Sequence, residues 1–341
     1  MTSVVIVVFD GLQPSQVNPG LMPNLSSLAA SGVTFTNHHP VYPSVTRANV
    51  ASMVTGLNPG GHGLAGNRLM IRDFNPNESI SALEPELTQV AEKTGRVLLA
   101  PTLSEILSQH GHEYMAIGAG TSGNAYLQNP TAEKFGGATI HPEFTLPRSL
   151  NQKLANRFGA WPDESRPNTK RTAHCLRILT EYMLSQRNPT VSMIWSSEPD
   201  KSQHDSPVGS SLSHAAISEA DGQLGELIDW LRRTGREGDT DVMVASDHGY
   251  STISQTIDVE GLVGRAGFPL GGDSGNVVVA SNGGSALFYT QPGDHDTGQN
   301  LAFWLMAQPW CGSLTVGESM GEIPGTLPAS LLGNQGLRCP E

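Results

Sequence analysis

The chain is 341 residues long, a length that suits one large domain or two moderate ones. Hydrophobic residues make up 38%, enough for a buried core, while 38 glycines and 23 prolines, about 18% of the chain against about 12% in ordinary proteins, predict long shaped loops. Acids outnumber bases 32 to 20, and the resulting net charge of −12 argues against a protein that wraps duplex nucleic acid.

Cys175, Cys311 and Cys339 are widely spaced, form no CxxC pattern and imply no disulfide framework. The apolar run at residues 4–9 is too short to span a bilayer and lacks the basic flank and cleavage site of a signal peptide. A cytoplasmic location with no membrane segment is the expectation.

In chain order, Ser3-Val-Val-Ile-Val-Val-Phe9 is β-branched and unbroken, as in a strand buried on both faces. Residues 23–32 read as a short helix closed by Gly32, 33–36 as a strand, and 47–55 as a helix ended by Gly56. The alternation continues with helix 103–109, strand 113–117, helix 172–185, strand 191–196, helix 212–233 and strand 241–245. Strands at 276–280 and 286–289 and a helix near 297–306 follow. This rhythm predicts an α/β fold, three layers deep, with a mostly parallel central sheet between helices. Two Gly-, Pro- and Asn-rich stretches, 65–101 and 119–167, read as insertions capping the active edge of the sheet.

Chemistry gathers where apolar strands end. The first gives Phe9-Asp10-Gly11, the second Ile194-Trp-Ser-Ser-Glu-Pro-Asp200-Lys-Ser-Gln-His204, the third Val244-Ala-Ser-Asp247-His248-Gly249. In open parallel sheets ligands bind outside the carboxyl ends of the strands, so these three ends are expected to converge. Singly, each has a plainer reading: an aspartate after a strand forms turns or caps helices, and His204 alone would be a surface loop residue. Together, mixed carboxylate and imidazole groups without thiolates suit a zinc-like divalent ion. A fourth element, Val41-Tyr-Pro-Ser-Val-Thr46-Arg47, enters a helix at Thr46, where free backbone N–H groups favour a phosphate. Thr46 reads there either as the helix N-cap or as a nucleophile that a metal must activate.

In this order, Asp10, Tyr-Pro-Ser-Val-Thr46 followed by Thr-Gly-Leu-Asn-Pro-Gly-Gly-His-Gly, Glu-Pro-Asp200-x-x-x-His204 and Ser-Asp247-His248-Gly resemble the alkaline phosphatase superfamily. Within it the type I phosphodiesterase/nucleotide pyrophosphatase family is the nearest likeness, over residues 3–250. The resemblance implies an alkaline phosphatase-like fold in a single domain over 1–341 and two divalent metal ions, most simply zinc. Asp10, Thr46, Asp247 and His248 would hold the ion that activates the nucleophile, and Asp200 and His204 the other. Asn67, in His-Gly-Leu-Ala-Gly-Asn67, matches an asparagine that contacts a phosphoryl oxygen in such enzymes. One departure stands out. Relatives complete the second metal site with a downstream histidine in a His-Gly context, whereas this chain offers only Gly-Asp-His295-Asp. The expectation is a C-terminally truncated sequence whose third ligand lies beyond Glu341.

The implied reaction is metal-dependent hydrolysis of phosphodiester or pyrophosphate bonds in nucleotide-like small molecules. Thr46 would attack phosphorus in line to give a phospho-threonine adduct, with Asn67 and the Arg47 backbone N–H on the equatorial oxygens and the Arg47 side chain adding charge. Rival readings are a phosphomonoesterase, a phosphonoacetate hydrolase-like enzyme sharing the threonine and an asparagine like Asn49, and a non-catalytic binding protein on the same scaffold. A sulfatase is disfavoured, because no Cys or Ser followed by x-Pro-x-Arg occupies the nucleophile position.

Overall fold

The β-branched run at the amino end forms strand β1 (Ser3–Phe9) in a computed structural model that describes residues 2–271 and 277–340. Further strands in chain order are β2 (Arg68–Leu69), β3 (Ile80–Ser81), β4 (Tyr114–Gly118), β5 (Ala138–Ile140), β6 (Thr145–Leu146), β7 (Val191–Ser196), β8 (Thr240–Ala245), β9 (Val277–Asn282) and β10 (Ser285–Thr290). Asn276, expected to open β9, lies outside the described residues. By packing, the chain divides into two compact units, Met1–Pro40 with Pro101–Ser254 and Val41–Ala100 with Gln255–Glu341.

The first unit is built on a six-stranded sheet in the order β6-β5-β4-β7-β1-β8, parallel throughout except where β6 turns back against β5. The expected α/β architecture with a mostly parallel, helix-flanked sheet is what forms. Residues 119–167, read from sequence as an insertion, supply β5 and β6 to this sheet as well as the helices Ser122–Gln128, Ala132–Phe135 and Ser149–Phe158. Val5, Val7 and Phe9 of β1 join Met115, Ile117 and Ile194 from β4 and β7 in one buried core. The helix Ser211–Arg233 covers it with Ile217, Ala220, Leu224, Leu227 and Leu231, an apolar stripe at helical spacing. Ser210 caps that helix by accepting the Ser213 N–H at 3.1 Å.

A buried carboxylate sits on the same stripe. Asp221 accepts the N–H groups of Asn24 (2.9 Å) and Leu25 (2.8 Å), the first turn of the helix Pro23–Ser31, whose own N-cap residue, Met22, offers no side-chain acceptor. A long-range side chain thus does the capping that the local sequence lacks, and its charge favours the positive end of the helix. After that helix the strand expected at 33–36 does not form. Val33 and Phe35 stand 81% and 79% exposed: alternation makes a strand only where a neighbour accepts its hydrogen bonds, and no strand of the sheet pairs with this segment.

The second unit holds the two-stranded pairs β2–β3 and β9–β10 and the helices Thr46–Thr55, Glu84–Thr94 and His295–Met306. Gly56 ends the first of these with φ +70° and its N–H on Ser52 O at 2.8 Å, as the sequence predicts. Close to the carboxyl end, Arg338 is buried and makes a two-pronged pair with Asp73 (3.1 and 2.7 Å), with a further bond to Val97 O at 2.7 Å. No helix among the described residues is long and apolar enough to cross a membrane.

Two buried histidines share one arrangement. His62 Nδ1 accepts the Leu64 N–H and its Nε2 meets Ser52 Oγ at 2.9 Å, while His141 Nδ1 accepts the Glu143 N–H and its Nε2 meets Gly120 O at 3.2 Å. Each ring is therefore held neutral, and burial pushes both down to about 4. The unfolded chain takes up these protons near pH 6.5, so stability is intact above that pH and is lost as pH falls towards 4, on the order of 3 kcal/mol for each ring. Urea unfolding between pH 7 and 4 is expected to show this loss, and His62→Gln is expected to flatten part of it. Asp221→Ala, which strands two helix N–H groups, is expected to cost about 3 kcal/mol in the same measurement.

Candidate active site

Three neighbouring strands deliver the acidic groups. Phe9 of β1 pairs with Ser196 of β7 on one side, and Val8 pairs with Ala245 of β8 on the other. The chain leaving these strands therefore emerges side by side, bringing Asp10, Asp200 and Asp247 to one edge of the sheet. The turn out of β1 is tied to both neighbours. Asp10 N–H donates to Ser196 O (3.1 Å), Asp200 N–H donates to Asp10 O (3.0 Å), and Gly11 N–H donates to Asp247 Oδ1 (3.2 Å). Gly11 sits at φ +72°, and a Cβ there would lie 3.0 Å from Asp200 Cβ, so only glycine lets the two aspartates come this close.

Asp10, Asp247 and His248 form the one group of three potential metal ligands among the described residues. His248 Nε2 lies 3.4 Å from Asp10 Oδ1 and 3.4 Å from Asp247 Oδ2. Its Nδ1 is 2.8 Å from Gly249 O, which places the ring proton on Nδ1 and turns the Nε2 lone pair to the two carboxylates. Trp195 Nε1 holds Asp10 Oδ2 at 3.0 Å, yet Asp10 Oδ1 and Asp247 Oδ2 are buried with no hydrogen-bond partner. Burial pushes Asp10 well above the usual carboxylate range, and the charges of Asp247 and Asp200 push it further. Burial likewise raises Asp247.

This geometry fits a divalent cation. A tetrahedral zinc with bonds of about 2.0–2.1 Å sets its ligand atoms about 3.4 Å apart, the spacing that His248 Nε2 keeps from each of the two oxygens. Two orphaned oxygens and one aimed imidazole are what an ion would satisfy. The second pair lies on the helix Asp200–Asp205, one turn apart, with His204 Nε2 3.5 Å from Asp200 Oδ2. Glu198 seats that helix: it is buried, its carboxyl is raised by burial, and it accepts the Asn168 N–H (2.9 Å) and the Ser202 N–H (3.0 Å). No third His, Cys, Asp or Glu joins Asp200 and His204 among the described residues. His295 is in the second unit, at the start of its helix.

Thr46, Arg47 and Asn67 also belong to the second unit. Thr46 is the first residue of its helix and Val45 is the N-cap residue, with no side-chain cap. The loop before it is folded by Asn49, whose Oδ1 accepts the Val41 N–H (2.9 Å) and whose Nδ2 donates to Val45 O (3.0 Å). Asn49 is buried and spends its amide on the main chain. Arg47 is buried too, with Nη1 on Asn67 O at 3.2 Å, and its backbone N–H donates to Asn67 Oδ1 at 2.9 Å. The N–H expected to face substrate is thus engaged, and it orients the Asn67 amide so that Nδ2 is the group left to donate elsewhere.

Sequence reasoning missed Asn282, at the end of β9. Its Oδ1 accepts both the Asn67 N–H (2.7 Å) and the Arg68 N–H (3.0 Å), its Nδ2 returns a bond to Arg68 O (2.8 Å), and a Cβ on Gly66 would strike it. No local signal marks an asparagine more than 200 positions away as the residue that shapes this turn.

A family model described as type I phosphodiesterase / nucleotide pyrophosphatase matches residues 4–303. Similar curated proteins include ectonucleotide pyrophosphatase/phosphodiesterase family member 1 of Rattus norvegicus, 26% identical over 231 residues, a match covering 67% of this chain and 22% of that protein. Venom phosphodiesterase of Macrovipera lebetinus is 26% identical over 235 residues, covering 69% and 24%. The chain thus spans under a quarter of the length of these two relatives. Among solved structures, an inactive variant of murine ectonucleotide pyrophosphatase / phosphodiesterase 5 in complex with AMP superposes with a TM-score of 0.60 at 21% identity, covering 91% of this chain and 71% of that one. That likeness shows the alkaline phosphatase-like fold.

Asn282→Ala removes the acceptor of two backbone N–H groups, and a loss of about 2–3 kcal/mol in stability is expected. Hydrogen exchange at the Asn67 and Arg68 amides is expected to rise well above that of the β9 backbone.

Proposed function

Because the chain belongs to the type I phosphodiesterase/nucleotide pyrophosphatase family, we propose that it hydrolyses phosphodiester or pyrophosphate bonds of nucleotide-like substrates through a phospho-threonine at Thr46. The observation that carries this reading is the triad of Asp10, Asp247 and His248, two of whose buried oxygens have no hydrogen-bond partner. Asp10, Asp247 and His248 with Thr46 would hold one divalent ion, zinc by the chemistry of the donor set, and Asp200 with His204 the other. Such ions lower the pKa of an alcohol and neutralise charge developing on a phosphoryl group.

The remaining steps fall to the chain's own groups. Thr46 Oγ gives its proton to water and attacks phosphorus in line, forming a new P–O bond as the bond to the leaving oxygen breaks. The leaving oxygen takes a proton from water, and a second water cleaves the threonine ester to restore the hydroxyl. Thr46 opens a ten-residue helix, whose dipole favours the negative phosphoryl group at that end. Asn67 Nδ2, oriented by the Arg47 N–H, donates to a non-bridging oxygen. A nucleotide substrate accords with the AMP bound by the murine relative.

Phosphomonoesterase and carbon–phosphorus hydrolase readings use the same residues, and one assay separates the first of them from the diesterase. With zinc present, bis-p-nitrophenyl phosphate is expected to be cleaved faster than p-nitrophenyl phosphate. Chelation is expected to abolish turnover and zinc to restore it. Thr46→Ala is expected to lower kcat by roughly three orders of magnitude or more. Equal rates for wild type and Thr46→Ala would remove the nucleophile, and a monoester preference would remove the diesterase reading.

A further inference from the structure

His204 is 61% exposed on its side chain, and an imidazole that open to water samples several rotamers and both tautomers unless something holds it. Tyr250 does the holding. Its Oη lies 2.9 Å from His204 Nδ1, and the two rings meet edge to face with centroids 5.0 Å apart at 81°. Tyr250 stands two residues beyond His248, so the same turn that delivers one ligand of the triad also reaches across to His204.

Tyr250 is itself pinned. Gln13 Nε2 donates to Tyr250 O at 2.5 Å, and a Cβ on Gly249 would lie 3.2 Å from Gln13 Cγ. From Gln13 a chain of side-chain amides runs to the neighbour of His204. Gln16 Oε1 accepts the Gln13 N–H (3.1 Å), Gln16 Nε2 donates to Gln203 Oε1 (2.7 Å), and Gln203 Nε2 reaches back to Gly11 O (3.4 Å). Both sides of His204 are therefore anchored to the turn that carries Asp10.

An imidazole that offers Nε2 to a cation must carry its proton on Nδ1, and that proton needs an acceptor. We propose that Tyr250 is a positioning residue: its phenol oxygen accepts the His204 Nδ1–H, turns the Nε2 lone pair towards Asp200 Oδ2 at 3.5 Å, and so sets the affinity of the Asp200–His204 pair for a divalent cation. This rests on the reading of Asp200 and His204 as metal ligands. Packing of the two rings alone would make a different prediction, because Tyr250→Phe keeps the ring and loses only the oxygen.

The test uses the full chain, zinc alone and a competing chelator, with long-range proton–nitrogen NMR of His204. Wild type is expected to bind two zinc ions with His204 protonated on Nδ1. Tyr250→Phe is expected to weaken the second ion about 10- to 100-fold, leave the first ion and the thermal midpoint unchanged, and remove the single-tautomer signature of His204. Asp200→Asn is expected to abolish the second ion in either background. Wild-type affinity and tautomer in Tyr250→Phe, or zinc-loaded wild type with the proton on Nε2, would overturn the inference. Wild type and Asp200→Asn binding the same single ion would instead overturn the ligand-pair reading on which it rests, a result distinct from an unchanged Tyr250→Phe.

Discussion

Parallel pairing of β1 between β7 and β8 is the constraint from which the acidic site follows. With Phe9 opposite Ser196 and Val8 opposite Ala245, the strands end almost level, and the next few residues of each have one place to go. A slip of one residue in either pairing would turn Asp10 from the shared edge into the opposite face of the sheet. Hydrogen bonds across the ends lock the arrangement, since Asp10 binds backbone on the β7 side and Gly11 binds a carboxylate on the β8 side.

Such a site is costly for the fold that holds it. Asp10 and Asp247 are buried and lie within reach of Asp200; one imidazole and one indole moderate Asp10, and Asp247 Oδ1 accepts the Gly11 and His248 N–H groups while its Oδ2 has no hydrogen-bond partner. Carboxylates brought together out of water repel and lose hydration, which is why burial and mutual charge push Asp10 upward. In Asp221 and Glu198, buried elsewhere in the first unit, both carboxylate oxygens are met by backbone N–H groups, the one acid capping a helix and the other seating one. The contrast separates acids that stabilise the fold from acids that the fold tolerates for another purpose.

Much of this was legible in the sequence because it is local. Long apolar or amphipathic runs mark β1, β7 and the helix 211–233, and the strand-end aspartates could be read off their flanks. Short elements were less secure. Residues 33–36 alternate like a strand, yet Val33 and Phe35 lie exposed because strand formation depends on a neighbour. Residues 119–167 read as a capping insertion, and within them β5 and β6 add to the sheet despite being three and two residues long. Arg47, which could equally have been a surface residue, is buried against the Asn67 backbone.

The supporting residues were not legible at all. Asn282, Tyr250, Gln13 and Asp221 belong to no motif, and each acts on a partner that is distant in sequence. By itself the amino-acid order determined the kinds of strand, their acidic ends and the residue types available for metal and phosphate chemistry, since periodicity and turn formation are properties of neighbouring residues. Only tertiary structure decided which oxygens are left without a hydrogen-bond partner and which side chains brace Asp10, His204 and Asn67. Those depend on hydrogen bonds between segments that can lie more than 200 positions apart, and no rule of local spacing encodes them.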